Sequence, residues 1–182
     1  GFRHAATVTL ADLVHLSLAV SDNDATNIVL SVVGMDRVNT LAAELGLGAT
    51  RLRRAMMDTG AQAAGLENTT SARDMATLLT ELAQGPRLSA DVREPVVASL
   101  ERTEHLAGDA RYLPPDAVYA GKLGDDMPAG RYAHDCCLVR RGGTTLALAV
   151  MSAGGEGDEA VSRLGAALVT QLTEPPARDT RT

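Results

Sequence analysis

Tryptophan is absent from this 182-residue chain, phenylalanine occurs once and tyrosine three times. An aromatic core is thereby excluded, as are stacking platforms for bases, and the interior has to be built from Leu, Val, Ala and Met. Lysine is scarcer still: Lys122 is the only one, and every other residue among the 17 basic ones is arginine. With 23 acidic residues the formal charge is −6, and no basic run interleaved with aromatics tracks a phosphate backbone, so nucleic acid is not an expected partner. The longest strongly apolar stretch, Leu146 to Met151, is far too short to cross a bilayer, and no basic-then-apolar leader opens the chain. A soluble chain without a membrane span is the expectation. It begins at Gly1 without an initiating Met, which fits either a processed protein or a piece of a longer one.

The two cysteines, Cys136 and Cys137, are adjacent, and strand neighbours point to opposite faces, so thiols rather than a bridge are expected. His4, His15, His105 and His134 show no metal spacing, and no His-Glu-x-x-His, Cys-x-x-Cys, Gly-x-Ser-x-Gly or phosphate-binding glycine loop is present. Neither a metal nor another cofactor is expected.

What is present is a chain of one-domain length with 45% apolar residues, read as a single domain over 1–173 and a Pro-rich, charged, disordered tail over 174–182. Thr9 followed by Asp12 is a capping box opening a helix to about Val20. Asp24 is placed to cap a helix over Ala25 to Val33, stopped by Gly34, and a third helix spans Asp36 to Leu45. From Leu47 to Asn68 no period holds, which reads as a functional loop. Ser71 and Asp74 repeat the capping pattern before a helix closed by Gly85. Another runs from Ser89 to Arg102, with Pro95 either kinking it or marking a fresh first turn. After Pro114-Pro115 the period becomes that of strands: Val118 to Leu123, Ala133 to Arg140 and Thr145 to Met151, with Gly142-Gly143 as a hairpin turn. A final amphipathic helix covers Asp158 to Leu172.

Two constellations stand out. Ser21-Asp22-Asn23 lies between helices, where the bland reading is a capped turn. Lys122-Leu123-Gly124 ends a strand; an Arg-biased sequence has kept one compact ammonium there, one that can move its pKa when buried. The bland reading of Lys122 is a solvated lysine at a strand end.

Together, in this order and context, they resemble the Ser-Asp-Asn and Lys-Thr-Gly elements of class A β-lactamases and penicillin-binding proteins. The similarity extends to Thr9 through Asn27 around the Ser-Asp-Asn turn, to Gly34, to Thr50-Arg51-Leu52 with Arg54 as the entry of the family's Ω-loop, to Asn68 through Met75 as its exit, and to Leu113-Pro114. The resemblance implies an α/β, β-lactamase/transpeptidase-like fold, an antiparallel sheet packed with helices. It also implies acyl transfer by a serine on a β-lactam or related amide or ester. Ser21 would relay a proton to the departing nitrogen, and Asn23 would hold the substrate's side-chain carbonyl. Lys122 would attract its carboxylate, and Gly124 would let substrate lie against the strand. Arg131 is a candidate second cation for the carboxylate, beside the reading of an ordinary solvated arginine. Export to the cell envelope, and a role in β-lactam catabolism or antibiotic resistance, are implied by the resemblance alone.

Three departures qualify this. No Ser-x-x-Lys exists, so the family's nucleophile helix and first strands are missing and the chain resembles a C-terminal portion. Met56 stands where the family has its deacylating glutamate, Asp58 lies two residues on, and Asn68 replaces the aspartate that would pair with Arg54, which predicts loss of that ionic clamp. Leu123 replaces Ser or Thr. The expected partners are a small β-lactam or peptidoglycan-like peptide, and the missing N-terminal segment or a second copy. The alternative function is a non-catalytic protein that binds β-lactam or D-Ala-D-Ala carboxylates.

Overall fold

The computed structural model describes residues 7–104, 109–125, 132–154 and 157–173. The chain opens as its capping box requires. The Thr9 hydroxyl accepts from the Asp12 amide at 3.1 Å and the Asp12 carboxylate accepts from the Thr9 amide at 2.8 Å, starting α1 (Leu10–His15). The helix does not run on as α-helix to Val20. Leu16–Val20 is a π-helical turn, closed by the Asp22 amide on the Leu16 carbonyl at 3.2 Å.

Helix α2 (Asn23–Val33) begins earlier than the periodicity predicts, because the cap is Asp22 and not Asp24: its carboxylate accepts from the Ala25 amide at 2.8 Å. Gly34, at φ +85°, separates α2 from α3 (Met35–Glu44). The stretch read as wholly irregular contains one short helix, α4 (Thr59–Ala63), and is closed at its neck by paired backbone bonds of 2.9 Å between Arg51 and Thr69. Ser71 caps α5 (Ala72–Gln84), but Asp74 does not complete a capping box. The Asp74 carboxylate turns away to accept from the Ala49 amide at 2.9 Å and the Thr50 hydroxyl at 2.8 Å, tying the loop neck to the helix. Helix α6 (Ala90–Glu101) continues through Pro95, so no fresh first turn forms there.

Strands β1 (Val118–Asp125), β2 (Tyr132–Arg141) and β3 (Thr144–Ala153) form an antiparallel sheet in that order. Gly142 and Gly143, both at positive φ, make the two-residue turn of the second hairpin. Helix α7 (Asp158–Thr173) follows. The expected tail over 174–182 lies outside the described residues.

The strand period of two divides the core. On one face Ala120, Leu138, Cys136 and Ala147 meet Leu79 and Leu82 of α5, Val96, Val97 and Leu100 of α6, and Leu18 of the π-turn. On the other, Cys137, Val139, Leu146, Leu148 and Val150 pack under Val161 and Val169 of α7. The cysteines lie on opposite faces and form no disulfide. The fold is α/β, three antiparallel strands packed by helices on both faces.

Candidate active site

The π-turn and β1 both pack on α6, and Leu18 and Ala120 share one cluster. This places the end of the π-turn and the α6-facing side of β1 in the same part of the molecule. Ser21 immediately follows the π-turn, half-buried, at φ +60° and ψ +35°. A left-handed serine costs about 1–2 kcal/mol, so the surrounding contacts must impose it. The Glu104 amide donates to the Ala19 carbonyl at 3.0 Å, His15 Nδ1 meets Ser99 Oγ at 3.1 Å, and Ser17 meets Thr26 at 2.7 Å. Among the described residues the only other non-glycine at positive φ is Met57, in the loop after Arg54. Backbone strain of this kind gathers at functional sites, and here it falls in two segments that the motif reading singles out. Asn23 is the exposed first residue of α2.

Lys122 stands in the middle of β1, directly opposite Cys136. Its ammonium donates to the Leu123 carbonyl. Burial pulls its pKa below the usual lysine range, and the charges of Asp125 and Asp135 counter part of that. Gly124 lies opposite His134 and is exposed; a Cβ there would meet only His134 atoms at 3.8 and 3.9 Å, so nothing in the chain itself demands glycine. Gly121 contrasts with it, because a Cβ there would overlap the Tyr119 ring. Arg131 lies outside the described residues.

His134 and Asp135 are strand neighbours and face opposite ways. His134 sits on the Lys122 face, and Asp135 is fully buried on the α7 face, where the Tyr119 hydroxyl donates to it at 2.7 Å. The sequence reading missed this buried pair, for which two lone polar letters on two strands offer no local signal.

The loop is held by three asparagines. Asn39 takes both backbone groups of Leu52, at 2.8 and 2.9 Å, and Asn27 takes both of Met56, at 2.8 and 3.0 Å. Asn68 accepts from the amides of Arg53 and Arg54 and donates to the Arg54 carbonyl. The predicted loss of the ionic clamp is wrong, because Glu67 supplies it instead: Arg54 donates through Nε and Nη2 to Glu67 at 3.2 and 2.9 Å. Asp58 is a turn residue that caps α4 by accepting from Ala61 at 2.9 Å. Among the described residues no group of His, Cys, Asp and Glu is placed to hold a metal ion. No described helix is long and apolar enough to cross a membrane.

Among solved structures the chain is similar to a β-lactamase from Sphaerobacter thermophilus, at 28% identity and a TM-score of 0.82, covering 96% of this chain and 68% of that one. PBP-A follows at 25% identity and a TM-score of 0.78, covering 92% and 62% respectively. A β-lactamase from Desulfarculus baarsii, 23% identical with a TM-score of 0.82, covers 93% of this chain and 66% of its own, a likeness of fold. The chain thus spans about two thirds of the length of these structures, 62% in the case of PBP-A. No curated protein matches it. Residues 1–172 match the beta-lactamase enzyme family, and the chain belongs to that family.

Proposed function

We propose that these residues form the substrate-recognition and proton-relay part of a serine acyl-transfer hydrolase acting on β-lactams or related amides and esters. The observation that carries the reading is Lys122: the chain's one ammonium, half-desolvated on the face of β1 turned toward α6, two residues before a glycine whose missing side chain no neighbour requires. A substrate carboxylate would bind Lys122, and its backbone-like amide would lie along the strand at Gly124. Asn23 would hold the side-chain carbonyl. Ser21 would pass a proton to the ring nitrogen as the C–N bond breaks and the acyl carbon joins the serine oxygen of a Ser-x-x-Lys element, which these 182 residues do not contain. Arg131 would be a second cation for the carboxylate.

The second reading is a non-catalytic receptor for the same carboxylates. The residue at the glutamate position favours it, since Met56 has no proton to exchange and its backbone is clasped by Asn27. A fluorescent penicillin separates the two. The acyl-transfer reading expects label that survives denaturation on a polypeptide joining this chain to a Ser-x-x-Lys segment, lost with Lys122→Ala. Reversible binding without attached label would overturn it in favour of the receptor, and no binding at all would overturn both.

A further inference from the structure

Residues paired across antiparallel strands put their side chains on one face, so Lys122 and Gly124 of β1 look out beside Cys136 and His134 of β2. His134 is directly opposite Gly124 and diagonal to Lys122, a separation of about 7–8 Å between such neighbours. A Cβ built on Gly124 would find the His134 Cβ at 3.8 Å and its Cδ2 at 3.9 Å, so the imidazole borders the gap the glycine leaves. The Lys122 ammonium, donating to the Leu123 carbonyl, is bent toward this same end of the strand. One ring proton is fixed. Nδ1 of His134 lies 2.9 Å from the Ala133 carbonyl, and a carbonyl only accepts, so Nδ1 carries hydrogen. Nε2, bonded to the Cδ2 that borders Gly124, is the nitrogen left to gain or lose a proton. The other titratable groups on this face of the described strands are Cys136, Tyr132, whose ring centre is 6.0 Å from that of His134, and Arg140, paired with Glu101 toward the hairpin end. Met151 stands opposite His134 on β3. Asp125 and Asp135 alternate to the other face. From this side α5 reaches the strands through Leu79, Leu82 and Ala83, while its Asp74 is turned to Ala49 and Thr50 and its Glu81 stands 3.9 Å from Arg87. Two basic groups thus share a strand face that, among the described residues, carries no carboxylate of its own.

We propose, on the carboxylate-binding reading of Lys122, that His134 makes ligand binding at this site depend on pH, its protonated imidazole closing on the same carboxylate as the Lys122 ammonium. With the ring neutral, Nε2 presents a lone pair and repels an anion. With the ring protonated, Nε2–H becomes a charged donor. Histidine changes charge between pH 5 and pH 8, a range in which a carboxylate ligand stays ionised. The effect is reciprocal: a bound carboxylate holds the proton on His134, so binding takes up protons in that range. Acidic medium therefore favours ligands that carry the carboxylate, and an ester of the same ligand escapes the control.

Calorimetric titration of benzylpenicillin into the 182-residue chain between pH 5 and pH 8, in pairs of buffers with different ionisation enthalpies, reads affinity and proton uptake together. Affinity should fall about tenfold as pH rises, with protons taken up on binding. The methyl ester of the same penicillin should show neither effect. His134→Gln should bind at every pH as the native chain does at the alkaline limit, and His134→Arg as it does at the acid limit. A flat profile, with binding still abolished by Lys122→Ala, overturns the role of His134 and leaves the carboxylate reading standing. A slope that survives in both His134 variants does the same, because the titrating group then lies elsewhere. Binding indifferent to Lys122→Ala, or absent at every pH, overturns the carboxylate reading and the role of His134 with it.

Discussion

The side-chain amide of Asn27 clasps the backbone of Met56 from both sides, its oxygen accepting from the amide at 2.8 Å and its nitrogen donating to the carbonyl at 3.0 Å. One side chain on α2 thereby fixes the loop backbone at Met56. Removing it strands two polar backbone groups in a half-buried setting. Asn27→Ala should lower the unfolding free energy by about 1–2 kcal/mol in a urea titration and speed proteolysis between residues 51 and 69. Asn27→Asp, which keeps only the acceptor, should fall between.

The Arg54–Glu67 pair is the loop's ionic tie, with Glu67 47% exposed. Exposure screens it, so Glu67→Gln should cost less than about 1 kcal/mol, and that cost should vanish in 1 M salt. A double-mutant cycle with Arg54→Met reads the coupling directly.

Tyr119 and Asp135 are a different case, because the carboxylate is fully buried. Tyr119→Phe removes one donor to it and should cost about 1–3 kcal/mol. Gly121→Ala should be worse, since its methyl would enter the space of the Tyr119 ring and push the donor off its acceptor. Thermal unfolding of the two variants orders them.

Under the proposed carboxylate-binding role, Lys122 would link stability to ligand binding with opposite signs. Its folded-state pKa is depressed, chiefly by burial, so the unfolded chain holds that proton more tightly and stability rises as pH climbs from the folded to the ordinary lysine pKa. Carboxylate binding at Lys122, as proposed, would run the other way and fade at a pH below the usual lysine range. Lys122→Met should therefore leave the chain as stable or more so near neutral pH while abolishing penicillin binding. Denaturation and equilibrium binding, measured from pH 7 to pH 11, check both limbs.

Asp74 works at the acid end. The Thr50 hydroxyl above all, with the Ala49 amide also contributing, holds its carboxyl below the usual 3.8. The stabilisation is complete above the unfolded pKa and is lost as pH falls through the depressed folded one. Asp74→Asn should remove that segment of the acid-unfolding profile, and the variant should free the loop neck at Ala49 and Thr50 at neutral pH.

Local chemistry wrote much of this fold. Caps at Thr9 and Ser71, glycine stops at Gly34 and Gly85, the paired glycines of the hairpin and the switch from helical to strand period are all signals carried within a few residues, and the elements form where those signals lie. The family too was legible, since Ser21 through Asn23 and Lys122 through Gly124 are short strings in a readable order. Packing decided the rest. The π-turn at Leu16–Val20 had no local signal; distant contacts flank it, His15 meeting Ser99 of α6 and the Ala19 carbonyl accepting from Glu104 just beyond that helix. The partner of Arg54 is Glu67 rather than its neighbour in sequence, because an arginine reaches across a folded loop to whichever carboxylate the backbone presents. Periodicity put Lys122 and Cys136 on one face and Asp135 on the other only after the strand register was set. Register comes from three strands and two helix layers settling together, and no window of sequence contains that information.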